Sequence, residues 1–444
     1  MTSWTMPTAL SIALQRLARF LDARHRSLFP LIFSGLLFST EVRRTASSWF
    51  RTAGIGIEFR RAYGVIGATG RRAPQLANQV LLDVVAVADE RPDRLVFGLD
   101  DTPTPRYGPE VEGAGLHHNP TPGPSGHPFV YGHVWVTLAR LARHPRFGTL
   151  ALPVRAELYV RQQDLLRLPP DRRTPFRTKL TQAAELIAWL TTWLGSKGKP
   201  LWLVADGAYA KRPVLRAAQQ HGVVLVSRLR KDAALRSLPT AATGRRGRKP
   251  LYGQAVISLA KRAGSRHGWQ TEEMVLYGRR TVVKTYKTFL ATWRPAGGVI
   301  RVVLVKEAAS WVAFFSTKAE ATPAEILELV ADRGALEQTF KDVKEVWGAG
   351  QQQLRNLHAN IGAWHLNLWA YTLVELGAWD QPEEQLVDRS ASPWDAEPRR
   401  PSHADRRKAL RSQSLRAQYQ EALTGTGQKR KLKHLARQLL KLVA

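Results

Sequence analysis

The sequence contains no cysteine among its 444 residues. Disulfide bonds, thiolate nucleophiles and cysteine-ligated zinc sites are therefore excluded. Long apolar runs are also lacking: the longest, residues 28–38, includes Pro30, Ser34 and Gly35 and is too short to span a bilayer. The N-terminus does not show the charged, apolar and small-residue order of a signal peptide. From these absences we expect a cytoplasmic protein without a membrane partner.

Acidic residues are scarce relative to basic ones. The 36 Asp and Glu are outnumbered by 66 Lys and Arg, which gives a formal net charge of +30. A positive field of this size favours a polyanionic partner, and nucleic acid is the first candidate. A ribosome-like structural protein or a membrane-surface binder would share the charge. Fourteen Trp and an apolar content ordinary for a globular protein favour instead a folded protein with a large core.

The apolar pattern predicts a mixed α/β fold. Short apolar runs predict strands, and helical periodicity predicts helices between them. In chain order the predicted elements are strands at 94–101, 131–138 and 148–159, a helix at 182–194, a strand at 201–206, a helix at 213–221 and a strand at 223–228. This order resembles the RNase H-like fold, a mixed sheet flanked by helices in which the first and fourth strands lie side by side.

The same pattern predicts five segments along the chain. A helical N-terminal DNA-binding region (1–85) precedes the first part of the RNase H-like core (86–232). A β-rich insertion (233–321), with strands at 281–293, 299–306 and 311–316, separates it from the second part (322–378). A linker and a basic C-terminal tail (379–444) follow. We expect the tail to contact DNA, to dock on the protein or to stay disordered until it binds.

Acidic residues at three separated places stand out. Asp100 and Asp101 end one predicted strand, Asp206 ends another, and Glu337 lies on a late predicted helix. Phosphoryl transfer on a nucleic acid needs a clamp for two hard cations, and Mg²⁺ prefers carboxylate oxygens. An acid at the end of a strand is often only a turn residue. The prediction of a metal site therefore rests on the acids taken together and not on any one of them.

The helix that carries Glu337 places this acid among bases. Arg333, Glu337, Lys341 and Lys344 fall at i, i+4, i+8 and i+11, which is one helical face. Two interpretations fit this face. It is either a solvated surface with ion pairs along the helix, or a rigid support on which a carboxylate holds a metal ion while its basic neighbours hold phosphate oxygens.

These segments resemble the DDE transposases of bacterial insertion sequences, in the branch with a β-rich insertion between the second Asp and the Glu. That branch has a Tyr-x2-Arg-x3-Glu-x6-Lys signature. Arg333, Glu337 and Lys344 match it, whereas Val330 stands in place of the tyrosine. The resemblance covers roughly residues 25–375. The resemblance implies that the protein cleaves DNA with Mg²⁺ as its cofactor and that Mn²⁺ can take the place of Mg²⁺.

The two aspartate motifs carry the rest of the resemblance. Leu-Asp100-Asp101-Thr102 is similar to the family's Asp-x-Thr motif, which favours Asp100 as the ligand because Thr102 then falls in register. The Asp206-Gly-Ala-Tyr209 motif matches closely. The resemblance therefore implies that the catalytic and metal-binding residues are Asp100, Asp101, Asp206 and Glu337.

Several basic and aromatic residues are candidates for DNA contacts. The resemblance implies that Arg333 and Lys344 hold phosphates of the transposon end, with Lys341 on the same face. Some relatives use a tryptophan of the insertion to stabilise a flipped base. Trp311 lies at about that place, although a core tryptophan on its strand is the alternative.

Two further basic segments follow from the residues alone. A helix capped by Ser39 or Thr40 would expose Arg43 and Arg44, either as part of a helix-turn-helix reader or as the surface of a plain bundle. A basic loop offers phosphate contacts unless it is merely solvated, through Arg245, Arg246, Arg248 and Lys249.

The resemblance implies a DNA transposase that binds terminal inverted repeats, cleaves them by metal-dependent hydrolysis and transfers the 3′-OH to target DNA. Its partner is double-stranded DNA, both transposon ends and target, bound by a homodimer or higher oligomer in the bacterial nucleoid. One rival is an RNase H-like nuclease without strand transfer, which the long insertion disfavours. The other is a domesticated DNA-binding protein without catalysis, which the presence of all the acids disfavours.

Overall fold

The computed structural model describes residues 4–88, 91, 93–118, 126–195, 198–240, 250–387, 394, 400–424 and 427–443. The basic loop with Arg245, Arg246, Arg248 and Lys249 lies outside these residues, so its DNA contact stays a prediction. Within the described ranges, no helix combines the length and the apolar character needed to cross a membrane.

Helices occupy both ends of the chain and connect the strands between them. Their bounds are α1 (Thr8–Ala18), α2 (Ala23–Arg26), α3 (Leu28–Phe38), α4 (Ala46–Thr52), α5 (Phe59–Arg71), α6 (Ala73–Val87), α7 (Gln162–Leu165), α8 (Lys179–Leu194), α9 (Arg212–Gln220), α10 (Leu259–Gly264), α11 (Pro323–Asp332), α12 (Gly334–Glu345), α13 (Leu357–Gly377), α14 (Glu383–Leu386), α15 (His403–Leu423) and α16 (Gln428–Val443).

The strands all belong to one mixed sheet. Their bounds are β1 (Leu95–Pro105), β2 (Gly115–His118), β3 (Phe129–His144), β4 (Gly148–Tyr159), β5 (Leu201–Ala205), β6 (Val224–Leu229), β7 (Leu235–Arg236), β8 (Val256–Ile257), β9 (Gln270–Leu276), β10 (Arg280–Trp293), β11 (Gly298–Lys306) and β12 (Trp311–Ser316).

The centre of the sheet has the strand order β4-β3-β1-β5-β6. β3 is antiparallel to β1 and β4, whereas β1, β5 and β6 run parallel to one another. The first and fourth strands of the core are therefore neighbours, with Leu99 opposite Ala205. This arrangement, a mixed sheet flanked by helices, confirms the predicted RNase H-like fold class.

The predicted β-rich insertion extends this sheet. β12 pairs antiparallel with β6, and β11 and β10 continue the sheet beyond it. The three predicted strands of the insertion correspond to β10, β11 and β12, and β9 adds a further strand against β10. The insertion therefore begins and ends next to β6, at one edge of the core.

The prediction for the first strand was wrong about where it ends. β1 does not stop at Asp101 but continues to Pro105, and a further strand, β2, lies between it and β3 in the sequence. Beyond Leu99, β1 pairs with β3 alone within the described residues, because β5 ends at Ala205. A strand with one free side tolerates prolines, since it needs fewer backbone N–H donors.

The two faces of the sheet are covered by different helices. Phe97 and Leu99 of β1 share a core with the N-terminal helices, α8, α9 and α13. Val96, on the opposite face, shares a core with Leu336 of α12. The helix lies directly against the strand here, because a Cβ on Gly98 would lie 2.7 Å from Cδ1 of Leu336. The small residue thus sets how closely α12 approaches β1.

The N-terminal helices pack on the RNase H-like core. α5 crosses α13 so closely that a Cβ on Gly70 would lie 1.8 Å from the carbonyl oxygen of His358. Only glycine fits such a crossing. Buried side chains of α3 and α5 also belong to the same hydrophobic cluster as those of α8 and α13.

The prediction that Ser39 or Thr40 caps a helix through Val42 was wrong. α4 begins at Ala46, and the Thr45 hydroxyl caps it by accepting a hydrogen bond of 3.1 Å from the backbone N–H of Ser48. Thr45 provides the N-cap at the point where the apolar spacing begins. Arg43 and Arg44 therefore lie in the loop between α3 and α4 and not on a recognition helix.

The basic tail is partly built into the core. His403, Arg406 and Arg407 of α15 are buried. One Arg407 nitrogen donates hydrogen bonds to the carbonyl oxygens of Leu36, Leu37 and Ser39. The first half of the tail thus docks on the N-terminal helices, which was one of the three alternatives, and these arginines are not available to DNA.

Candidate active site

Two of the predicted acids meet at one edge of the sheet. The parallel pairing of β1 and β5 ends at Leu99 opposite Ala205. Asp100 and Asp206 are the residues that come next after this last pair. Adjacent strands lie about 4.8 Å apart, so the two aspartates are neighbours. This edge is the carboxyl end of the parallel strands, where ligands of α/β sheets generally bind.

Asp100 and Asp101 face opposite sides of the sheet, as alternate residues of a strand do. Oδ2 of Asp100 lies 2.5 Å from a guanidinium nitrogen of Arg333, at the start of α12. Oδ2 of Asp101 lies 2.6 Å from Nζ of Lys179, at the start of α8. Asp100 therefore shares its side of the sheet with the helix that carries Glu337, and Asp101 does not.

Arg333 connects the first acid to the third. Its other terminal nitrogen lies 3.3 Å from Oε1 of Glu337, one helical turn further along α12. The Asp100 side chain is 18% exposed and that of Glu337 is 68% exposed. The guanidinium thus occupies the space between a largely buried carboxylate and a solvent-facing one.

The environment of Asp100 opposes its ionisation. Burial raises the pKa of this carboxyl to about 6, against the opposing effects of the Arg333 cation and the backbone N–H of Asp101. The charges of Asp101 and Asp206 raise the pKa further. A carboxylate in such a place is stabilised by any cation that comes close to it.

Asp206 is held by the turn that follows β5. Its side chain caps a short 3₁₀ turn, Gly207–Tyr209, by accepting a hydrogen bond of 2.9 Å from the backbone N–H of Ala208. The Tyr209 hydroxyl then donates a hydrogen bond of 2.7 Å to Oδ1 of Asp101. Burial raises the pKa of Tyr209, so the phenol stays protonated and remains a donor.

Sequence reasoning missed the part of Lys179 and Tyr209 in this arrangement. Both side chains bind Asp101, which joins β1 to the start of α8 and to the turn after Asp206. Tyr209 belongs to a motif that the sequence reveals, but its partner does not follow from the motif. For Lys179 no local signal exists, because its contact with Asp101 spans 78 residues.

The two lysines of α12 have different surroundings. Lys344 reaches β1, where Nζ donates a hydrogen bond of 2.6 Å to the Thr102 hydroxyl, and burial lowers the pKa of Lys344 to about 8. Lys341 is exposed. Lys344 therefore lies on the same side of β1 as Asp100, close to the acids, while Lys341 points into solvent.

Trp311 lies at the same edge of the sheet as the acids. It is the first residue of β12, which runs antiparallel to β6 with Ala313 opposite Leu229, so it lies beyond the carboxyl end of β6. The ring is half-buried, and Nζ of Lys231 lies 5.0 Å from its centroid. It packs partly against the hydrophobic core.

The three carboxylates are of the donor type that suits a divalent cation, but their spacing in this structure is too wide to hold one. Asp100, Asp206 and Glu337 offer carboxylate oxygens, the ligands that Mg²⁺ prefers. Within the described part of the chain, no three acidic or histidine side chains are close enough together to hold a metal ion. The Arg333 guanidinium stands between Asp100 and Glu337, and so a positive charge already lies where two of the ligands would share a cation.

A comparison with known proteins identifies the family of this chain. No curated protein matches the chain. Residues 16–291 match a family model described as DDE superfamily endonuclease, and the matched range includes Asp100, Asp101 and Asp206 but ends before Glu337. Enzymes of this superfamily generally use divalent metal ions, and the family implies a DNA substrate. Because the match covers more than half of the sequence, the chain belongs to the DDE superfamily endonucleases.

Proposed function

We propose that this endonuclease is a DNA transposase of the bacterial insertion-sequence type. It binds terminal inverted repeats, cleaves them and joins the 3′-OH to target DNA. One observation carries the proposal. Asp100 and Asp206 directly follow the last paired residues of the parallel strands β1 and β5, and the Arg333 guanidinium lies between Asp100 and Glu337. Arg333 and Glu337 come after a β-rich insertion that extends the same sheet. The Arg333, Glu337 and Lys344 spacing of the insertion-sequence signature supports the finer assignment.

In this proposal Asp100, Asp206 and Glu337 are the ligands of Mg²⁺. When bound, the ion supplies the charge that stabilises the attacking and leaving oxygens of an in-line displacement. Asp101 is not a ligand, because Lys179 and Tyr209 already engage both of its oxygens on the other side of the sheet. The role of Asp101 is to fix the position of the turn after Asp206 relative to β1.

The basic residues hold the DNA. Arg333 is planar and bidentate, so it exchanges its carboxylate partners for the phosphate beside the cut. Lys344 provides a second phosphate contact from its position next to Thr102. Trp311 stacks on a base displaced from the duplex, with Lys231 on its ring. The protein acts on double-stranded DNA as a homodimer or higher oligomer, in the nucleoid.

A joining assay tests this function. Inverted repeats flanking the gene supply the end sequences, which are placed on a labelled duplex and incubated with Mg²⁺ and a supercoiled target plasmid. We expect cleaved ends and labelled target DNA from the native protein. Asp206→Asn and Glu337→Gln should lose both products while still retarding the labelled duplex. Glu320→Gln, which removes an exposed carboxylate from the loop before α11, is the matched control and should keep both.

The outcomes separate the rival functions. Cleavage without labelled target DNA would replace the transposase with a nuclease that lacks strand transfer. Retardation of the duplex without cleavage, in Mg²⁺ and in Mn²⁺, would leave a DNA-binding protein without catalysis. Unaltered cleavage by Asp206→Asn or Glu337→Gln would remove these residues from the site.

A further inference from the structure

A groove of about 710 Å³ opens where β1 ends. We call it the β1-end groove. It lies between the loop that follows β1, the loop before α4 and the segment that connects α12 to α13. The lining residues that matter here are Arg43, Arg106, Tyr107, Glu110, Gln353 and Arg355.

The groove and the acidic site lie along the same strand, β1, and against the same segment that follows it in space. Lys344 of α12 binds Thr102 in the middle of β1, and Arg106 at the end of β1 donates a hydrogen bond to the carbonyl oxygen of Gly350. These two contacts keep β1 and the segment after α12 side by side from the acids to the groove. Arg106 is six positions after Asp100, which is roughly 20 Å at about 3.3 Å per residue of extended chain. Duplex DNA covers this distance in about six base pairs.

Two arginines of the groove are available to a ligand. Arg43 and Arg355 are exposed, and neither side chain has a hydrogen bond or an ion pair to any residue that the structure describes. Arg106 differs, because it is buried and its guanidinium binds His133 and Gly350. Glu110 is an exposed acid of the groove. An exposed guanidinium without a protein partner suits the oxygens of a phosphate group.

An exposed aromatic side chain, Tyr107, also lines the groove. Tyr107 is 84% exposed, so its ring is open to a ligand. A tyrosine offers a flat apolar ring and a hydroxyl, and both serve sugar and phosphate contacts in protein–DNA complexes. Across the groove, Gln353 has φ 54°, a left-handed conformation that residues with a side chain rarely adopt. Such backbone strain is common at binding sites.

From this arrangement we infer that the β1-end groove binds the sugar–phosphate backbone of the DNA about half a helical turn from the bond that is cut. The inference rests on the proposed function, because it takes the edge with Asp100 and Asp206 as the place of cutting. Arg43 and Arg355 each hold a phosphate, and Tyr107 contacts the sugar between them. Direct contact of this kind positions the duplex without reading its sequence.

Two duplexes that share one cleavage site test the inference. The long duplex extends about twelve base pairs on each side of the cut, and the short one about three, so that only the long one reaches the groove. The variants are the double substitution Arg43→Ala with Arg355→Ala, and Tyr107→Ala alone. Arg216→Ala is the matched control, because Arg216 is also exposed but lies on α9, which covers the opposite face of the sheet from α12.

We expect the double variant to bind the long duplex about ten- to a hundredfold more weakly than the native protein, and the short duplex equally well. The slope of log Kd against log salt should fall by about two, because each lost phosphate contact releases about one counterion fewer. Tyr107→Ala should weaken binding of the long duplex with an unchanged slope. The control should change neither quantity, and all variants should melt at the native temperature.

Native affinity of the double variant for the long duplex would overturn the inference, and so would equal weakening on both duplexes. These results are independent of the joining assay. If the native protein joins ends while the double variant keeps its affinity, the transposase stands and the groove assignment falls. If no joining occurs but the double variant shows the smaller salt slope on the long duplex alone, the groove stands and the transposase falls. A retained DNA affinity combined with loss of binding to an acidic peptide would make the groove a protein-docking surface.

Discussion

The Arg333 guanidinium lies 2.5 Å from Oδ2 of Asp100, although 233 residues separate the two in sequence. The contact exists because α12 packs on β1 through Leu336, against the bare Cα of Gly98. The same guanidinium reaches Glu337 at 3.3 Å. The Arg333 cation therefore links the first and third acids of the site. Substitution of Arg333 distinguishes two roles for it, a ligand of DNA phosphate or a member of a structural ion pair.

Replacement of Arg333 by alanine should abolish both binding of the DNA end and its cleavage. The pair is only partly buried, so its loss should cost about 1 kcal/mol of unfolding free energy, between the values for surface and buried pairs. Arg333→Lys keeps the charge but not the bidentate geometry, and should recover binding only in part. Gel retardation, cleavage and urea denaturation measure these effects. A large loss of stability together with native cleavage at low temperature would show that Arg333 only holds the helix.

Separate substitutions of the two adjacent aspartates should have different effects. Asp100→Asn should lower the cleavage rate at least a thousandfold, because in the proposed site it removes a metal ligand, which costs several kcal/mol of transition-state stabilisation. Asp101→Asn should lower it by about tenfold or less but reduce the melting temperature, since Lys179 and Tyr209 lose an ionised partner. Tyr209→Phe should resemble Asp101→Asn. The opposite ranking of the two Asn variants would make Asp101 the ligand.

Binding of the DNA end should weaken above about pH 8. Burial lowers the pKa of Lys344 to about 8, so above this pH the free protein carries a neutral amine there. A phosphate ligand requires the ammonium form, and therefore binding must take up a proton. The Kd for the DNA end should therefore rise by up to about tenfold for each pH unit above 8. Lys344→Arg remains charged and should remove this dependence, and equal pH profiles for the two proteins would exclude Lys344 as a phosphate ligand.

The buried network of α13 and α15 should be essential for stability. Trp347 donates to Nε2 of His403, so the proton of the neutral imidazole is on Nδ1, which donates to Oε1 of Glu375 at 2.5 Å. Arg406 binds the same carboxylate. Glu375→Gln leaves the buried Arg406 cation without its counterion and should cost about 3–5 kcal/mol of unfolding free energy.

Urea denaturation checks this network, with Glu421→Gln as a control. Glu421 is exposed on α15, and its substitution should cost less than about 0.5 kcal/mol. A Glu375 variant as stable as the control would contradict the assignment. The network also limits which truncation is informative. Removal of the tail from residue 399 onward would destroy the core, whereas removal of α16 alone tests whether the tail contacts DNA.

Local patterns in the sequence were enough to predict most elements of the core. Apolar spacing depends on the period of the element itself, so the strand and helix order, the insertion between the second and third acids, and the shared face of Arg333, Glu337 and Lys344 follow without tertiary information. Cap positions were harder to predict. Ser39, Thr40 and Thr45 are all suitable caps, and only packing decided that α4 begins after Thr45.

The tertiary structure decided what each charged group contacts. Strand alternation implies that Asp100 and Asp101 point to opposite sides, but which side faces α12 depends on how the helix packs over Gly98. The partnership of Lys179 with Asp101 joins elements that only the folded sheet brings together. Likewise, the sequence does not distinguish Arg407 from the other basic residues of the tail. In the fold Arg407 is buried against the N-terminal helices and has a structural role. The sequence by itself determined the fold class and the candidate acids, because these depend on residue type and spacing. Long-range packing alone decided which acids and cations meet, because ion pairs and burial depend on distances across the fold.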